Sequence, residues 1–433
     1  MKNFLLSLTL LSILLAPACT AVPINTRNND KVVYAHSDMV RDLEPAIYPQ
    51  RLNALVNGNN AFAFNFYNEI NTAEGNIIFS PLSLSLALSM TLAGAEDSTK
   101  AEMLNALALQ ELGDDLHPAI NALLLAIDTS QVKLREESEG DQFQLNIANS
   151  IWGQSGFDFE KTFLDTIALN YGAGIYKVDY VQDPEAAREA INDWVADETQ
   201  DKILDLIPQG AIDALTRLVL ANAIYFNGSW LYPFEKDSTR DAPFTLLDGA
   251  QVSVAMMHLP GERLVYLQEE NFQLVELPYL SRDFSMVLLV PDAGEFEAVE
   301  SALSADNIAE SLNKTVFVPV DLKMPKFDFE TSVAAPEPLM KLGMLKAFQP
   351  GEANFSGISR SEALFISDVL HKATITVDEE GTEAAAATAV IMSLTSAPDV
   401  VEPISLVIDR PFIFFIQHQP TGTILFMGCV MEP

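Results

Sequence analysis

The residue types in this chain suited to nucleophilic, acid–base or metal chemistry are few and scattered. There are five histidines (His36, His117, His258, His371, His418) and two cysteines (Cys19, Cys429). No HExxH pair sets two imidazoles on one helical face, and no GxSxG elbow lifts a serine toward a base. No GxGxxG or GxxxxGKS/T loop is present to cradle a phosphate. Two cysteines allow neither a disulfide framework nor a cysteine-built metal site. A hydrolase using Ser393 or Ser396 with a histidine would lack an elbow, an oxyanion motif and a paired base. No catalytic residues, metal or cofactor are expected, and the chain reads as a non-enzyme.

A different chemistry, exchange of backbone hydrogen bonds, is suggested by Glu379-Glu380-Gly381-Thr382-Glu383-Ala384-Ala385-Ala386-Ala387-Thr388-Ala389-Val390. The stretch follows the strand-like Ala373 to Val377 and precedes a loose run from Ser393 to Pro403. Composition alone favours an Ala-rich helix, since alanine is the best helix former. The setting favours a segment able to become a strand. Thr382, Ala384, Ala386, Thr388 and Val390 alternate and could face a core, with Glu383 toward solvent. An incoming strand must separate existing neighbours without clashing, so small inward residues suit it and a charge or proline would block it.

These residues resemble the insertion hinge of the serpin family, residue for residue from Glu379 to Ala387. Val407-Ile408-Asp409-Arg410-Pro411-Phe412-Ile413-Phe414 is similar to that family's C-terminal signature strand. Asn76 to Ser83, Leu220 to Trp230 and Lys323-Met324-Pro325-Lys326-Phe327 resemble family motifs in the same order. The likeness covers roughly residues 52–433. It implies an α+β serpin fold with three β-sheets, about nine helices and an exposed reactive loop, here about 379–403.

By resemblance, a target serine protease attacks the loop and becomes covalently held as an acyl-enzyme. The freed loop then inserts into the main sheet and the protease is distorted. Counted from Gly381, the scissile bond falls at Thr395-Ser396, beside Leu394, within a window from Met392 to Ala397. Thr395 argues against trypsin-like targets and for a small or apolar primary pocket, as in elastase- or subtilisin-like enzymes. Leu394 as the cut site would favour a chymotrypsin-like one. Lys326, Glu379 and Trp230 fall at positions that form a latch where the loop enters the sheet. Ser80, Ser83, Asn222 and His371 fall where the family keeps a hydrogen-bonded cluster beneath the separating strands. Read on its own, each group is a surface ion pair or satisfied core polar residues. The alternative function is that of a non-inhibitory serpin, a carrier or chaperone. Such members carry bulky or charged residues or proline on the inward set, and Thr382 to Thr388 carries none.

The elements that must position these residues are legible in outline. Helical spacing is read over Ala61–Ile70, from Pro81 to Ala93, in acidic stretches from Ser98 to about Ile127, and over Glu185–Thr199. Strands are expected at Asn76–Ser80, Gln142–Trp152, Arg217–Phe226, Leu274–Tyr279, Ser285–Pro291, Lys314–Phe329, Leu364–Glu379 and within Ile404–Met431. Helices early and strands late suggest α+β with mostly antiparallel sheets.

Residues 1–18 read as a signal peptide. Lys2 is followed by an apolar core from Phe4 to Leu15, shorter than the ~20 residues that span a bilayer. Either the segment is removed near Ala18, or Leu15-Ala16-Pro17-Ala18-Cys19 acts as the bacterial lipobox it resembles and Cys19 is lipidated. Residues 19–50 read as a polar tether or N-terminal arm, and 51–433 as one domain. Export is expected, to the extracellular space, the periplasm or an outer-membrane anchor.

The 433 residues include 25 Lys+Arg against 60 Asp+Glu, a net charge of −35. That charge excludes the usual electrostatic route to nucleic acid and disfavours anionic membranes, leaving a lipid on Cys19 as the route to a membrane. A monomer is expected. The region from Lys100 to Glu139 lacks a basic helix, so a heparin-type activating site is not expected. With 49% hydrophobic and 20% charged residues the composition is that of a globular protein.

Overall fold

The computed structural model describes residues 32–71, 75–137, 143–382 and 402–433. The first half supplies most of the helices. After the short strand β1 (Val33–Ala35) come α1 (Pro49–Ile70), strand β2 (Ile77–Phe79), α2 (Pro81–Leu92), α3 (Asp97–Ala106) and α4 (Leu116–Glu137). Proline occupies the first turn of α1 and α2, where its missing N–H costs nothing. Every residue of α2 is buried, so this apolar helix serves as a central post rather than a surface element. In α1 the one-turn spacing of Phe62 and Phe66 brings their rings to 5.3 Å, and Phe66 meets Phe79 of β2 at 5.4 Å.

Next come β3 (Phe143–Gln154), α5 (Lys161–Tyr171), β4 (Ile175–Val178), α6 (Pro184–Glu198) and β5 (Leu218–Ser229). Gly172 ends α5 at φ 65°, the left-handed cap that glycine adopts without strain. From there the chain is mainly β: β6 (Arg240–Thr245), β7 (Gln251–Gln268), β8 (Phe272–Pro278) and β9 (Phe284–Pro291). Helices α7 (Phe296–Ser301) and α8 (Ala305–Asn313) precede β10 (Val316–Pro325) and β11 (Phe327–Ala334). Helix α9 (Pro336–Lys341) leads to β12 (Asp368–Val377) and β13 (Gly381–Thr382). The chain closes with β14 (Ile404–Val407), β15 (Phe412–His418) and β16 (Thr423–Val430). The described residues thus form nine α-helices.

One sheet has seven strands in the order β1-β4-β3-β5-β13-β12-β11. The other has nine, β14-β10-β7-β8-β9-β15-β16-β2 with β6 on β7. Three sheets are expected from the resemblance; hydrogen bonding joins the strands into two, because β6 and β8 occupy opposite ends of one edge of β7. That 18-residue strand carries one ladder into the next.

Lys314–Phe329 reads as a single strand in sequence, yet the chain divides it. Strand β10 lies in the nine-stranded sheet and β11 in the seven-stranded one, with Lys326 as the one residue between them. Within the segment read as a tether or arm, Val33–Ala35 pairs antiparallel with β4 as an edge strand.

Alternation along β5 sorts its side chains. Leu218, Leu220, Ile224 and Phe226 enter the main core, whereas Val219, Ala221 and Ala223 pack in a second cluster with Trp194 of α6. Asn222 occupies the core-facing series and is fully buried.

Candidate functional site: a divided sheet and the segment that enters it

Strand β12 ends at Val377 and the chain reverses at once. The Asp378 carboxylate accepts hydrogen bonds from the Glu380 N–H (2.8 Å) and the Gly381 N–H (3.2 Å). This turn returns Gly381 and Thr382 between β12 and β5: Thr382 pairs with Val377 on one side and Gly228 on the other. Glycine is required there, because a Cβ on Gly381 would sit 2.2 Å from the Gly228 carbonyl oxygen. Lower down, β5 and β12 pair directly and in parallel, from Val219–Asp368 to Ile224–Ala373. The sheet is closed at one end and already divided at the other.

The turn is held from several elements. Lys326 Nζ lies 2.5 Å from Glu379 Oε2, and the Thr239 hydroxyl donates to Glu379 Oε1 at 2.6 Å. Burial pushes the Glu379 carboxyl up, but the hydrogen bonds from Lys326 and Thr239 outweigh it and leave it below its ordinary range. The Trp230 indole donates to the Asp378 carbonyl at 3.0 Å and stacks on Tyr279 with centroids 4.6 Å apart. Tyr279 in turn shares a 2.8 Å hydrogen bond with the Thr382 hydroxyl. Lys236 pairs with Glu380, which raises the pKa of the lysine.

Lys326, Glu379 and Trp230 are therefore brought together as the sequence reading expects. Thr239, Lys236 and Tyr279 were not legible: Lys236 and Thr239 share the short turn before β6, Tyr279 lies just past the end of β8, and none carries a spacing signal.

The second group lies where β5 and β12 are closed. His371 of β12 is opposite Asn222 of β5, and Asn222 is opposite Asn149 of β3, so three polar residues stand in register across three strands. Asn222 donates to Asn149 and to the Ser83 hydroxyl (2.7 Å), which donates to Asn149 Oδ1 at 3.0 Å. Asn149 returns a bond to the Ser83 carbonyl at 3.1 Å. His371 Nε2 accepts from the Ser80 N–H at 2.9 Å, so Nδ1 carries the proton it gives to the side-chain Oδ1 of Asn222. The Ser80 hydroxyl caps α2 by accepting from Ser83 N–H (3.1 Å) and donates to the Leu425 carbonyl (2.6 Å).

Burial pushes the His371 imidazole down to about 3. It is neutral, with both nitrogens engaged, and Ser80 and Ser83 are tied to backbone and amides. The group is arranged for packing and strand registry, not for proton abstraction. Asn149 is the member that sequence reading missed. An asparagine inside a strand reads as an outward polar residue unless its register with Asn222 is known.

Glu383, Ala384, Ala385, Ala386, Ala387 and Thr388 of the hinge lie outside the described residues. So do Leu394, Thr395 and Ser396 of the expected reactive bond, and Cys19.

Sequence and structural comparisons with known proteins agree. The family model described as Serpin (serine protease inhibitor) matches residues 57–433. An uncharacterized serpin-like protein of Thermococcus kodakarensis is 38% identical over 379 residues, 88% of this chain and 86% of the relative. The leukocyte elastase inhibitor of Xenopus tropicalis is 36% identical over 381 residues, 86% of this chain and 97% of that protein. Among solved structures, the thermophilic serpin tengpin in its native state superposes with a TM-score of 0.79 at 29% identity. That match covers 93% of this chain and all of the solved one.

Proposed function

This chain belongs to the serpin family, and from that premise we propose that it is an exported suicide inhibitor of serine proteases with a small or apolar primary pocket. The observation that carries the reading is the pairing of Gly381–Thr382 between β5 and β12, above a ladder that is still closed. The sheet has a strand begun at one end, continuous with small residues able to extend it.

Strand addition from within the chain is the process for which serpins are the familiar instance. In the proposed reaction the protease serine Oγ attacks the Thr395 carbonyl and the Thr395–Ser396 bond breaks. Ser396 leaves with a new amino terminus, and Thr395 is held as an ester on the protease. Residues from Glu383 onward then extend β13 down the seam, separating Asn222 from His371. The chain supplies no catalytic group; the protease supplies its own. Support for an elastase-like target comes from Thr395 and from relatives named as leukocyte elastase inhibitors. The inhibitor is proposed to act as a monomer, held to a membrane by a lipid on Cys19 where that residue is modified.

The test is to mix the protein with elastase, subtilisin, chymotrypsin and trypsin and to look for a complex that survives boiling in SDS. The released C-terminal peptide should have the mass of residues 396–433. Cleavage with no complex and no gain in heat stability would assign the chain to the non-inhibitory serpins instead.

A further inference from the structure

The arm formed by residues 33–48 is tied to the body by some of its polar side chains. Arg41 Nε donates to Asn121 Oδ1 at 2.8 Å and pairs with Asp128 at 3.6 Å. The buried Asn121 amide donates to the Asp42 carbonyl at 2.6 Å, and the Asp42 N–H reaches the Leu169 carbonyl at 2.9 Å. Ser37 donates to Asp165 at 2.5 Å, and Tyr34 packs on Tyr176 at 4.7 Å. Ile47 packs on the main core, but five large apolar side chains are exposed: Val40 is 81% exposed, Tyr48 77%, Leu43 60%, Val33 57% and Met39 46%. These five are more than a third of the 14 exposed large apolar side chains among the described residues, on a segment of sixteen. So high a concentration of exposed apolar side chains on one short, anchored segment marks an interaction surface.

We propose that this face rests on the surface of a neutral, zwitterionic lipid bilayer. Position and charge choose that occupant. The arm is the described segment nearest Cys19 in sequence, and the thirteen steps from Cys19 to Val32 reach at most about 45 Å when extended. A lipid on Cys19 therefore delivers this face to the membrane. Tyr48 offers the amphipathic ring that favours the headgroup level. The net charge of −35 opposes anionic lipid and opposes a second copy of equal charge. The exposed Asp38 and Glu44, interspersed with the apolar side chains, suit choline or ethanolamine headgroups.

The proposal rests on the exported, anchored reading for delivery, but its test does not. The chain beginning at Thr20, which carries no Cys19 and no lipid, is floated with phosphatidylcholine vesicles beside its Val40→Glu/Leu43→Glu variant. Both substitutions are on exposed side chains, and equal melting temperatures confirm that both proteins are folded. The expected result is vesicle partitioning that falls at least tenfold in the variant. Equal partitioning of the two proteins, or none by either, would overturn the proposal. So would a dimer, seen by light scattering, that the variant dissolves, since it would assign the face to a second copy. None of these outcomes bears on the SDS-stable complex, which tests the inhibitor reading separately.

Discussion

Lys326 and Glu379 join the two sheets at the point where the hinge departs. Lys326 is the one residue between β10 and β11, which belong to different sheets, and its ammonium lies 2.5 Å from a carboxylate two residues beyond β12. Glu379 is buried while Lys326 is partly exposed, so the pair sits between a surface ion pair and a core one.

Replacing Lys326 by Met leaves the Glu379 carboxylate with Thr239 as its side-chain partner. The expected cost is about 1–2 kcal/mol, between the surface and buried limits. If that loss falls on the barrier to spontaneous insertion, the rate should rise roughly tenfold. It is read as the half-life of complex-forming activity during warm incubation. The Glu379 contribution is present above the ordinary carboxylate range and is lost as pH falls through its lowered native value. Acid should therefore bring the wild type toward the variant. An unchanged half-life in Lys326→Met would remove the latch role.

Gly381 tests the hinge itself. A side chain at this position would collide with backbone on β5, the Gly228 oxygen at 2.2 Å and the Ser229 Cα at 2.8 Å, and neither can swing away. Gly381→Val should therefore leave the reactive loop cleavable but unable to continue into the sheet. The expected outcome is SDS-stable complex reduced more than tenfold with cleaved inhibitor accumulating, together with a melting temperature lowered by several degrees, because Gly381 already occupies this position in the uncleaved sheet. Full complex formation by the variant would mean that insertion does not begin at β13.

Asn149 tests the cluster member found only in the structure. Asn149→Leu keeps the volume but removes the acceptor for Ser83 and one for Asn222, and the donor to the Ser83 carbonyl. Leaving buried groups unsatisfied costs about 1–3 kcal/mol each where no water replaces the partner. A loss of about 2–4 kcal/mol is expected, lowering the melting temperature by several degrees. A change within half a kcal/mol, measured by denaturant unfolding, would show that Asn149 is a bystander.

What was legible in the sequence was local and repetitive: the aromatic spacing in α1 and the apolar runs of β9 and β15. What was not legible depended on partners far along the chain. The break at Lys326 is invisible in a run that stays strand-like on both sides, because only tertiary pairing sends β10 and β11 to different sheets. The three residues of β1 are too few for a period-2 signal to rise above the polar residues around them. Asn149, Thr239 and Tyr279 have ordinary local contexts, and their roles exist only through register with Asn222, Glu379 and Thr382. The reactive bond is a different case: its position is what the serpin resemblance implies when counted from Gly381, and cleavage mapping is its direct check.

His371 supplies a pH signature of the closed sheet. In the native protein burial holds its imidazole neutral down to about 3, whereas in the unfolded chain it takes up a proton near its ordinary value of 6.5. Between those limits the unfolded state binds one more proton, so stability falls as pH falls, by about 1.4 kcal/mol per unit for this group, and is unaffected by it above 6.5. Burial holds His117 and His418 down to about 4, so they contribute in the same direction. The informative quantity is therefore the difference between wild type and His371→Gln. The variant should be less stable at pH 7, having lost a fitted partner for Ser80 and Asn222. Its stability should then decline less steeply between pH 6.5 and 4, by the equivalent of one proton in denaturant unfolding. Parallel pH profiles would mean that His371 is protonated in the native protein well above pH 3. The single-tautomer arrangement that ties β12 to β5 and to the start of α2 could not then hold across that range.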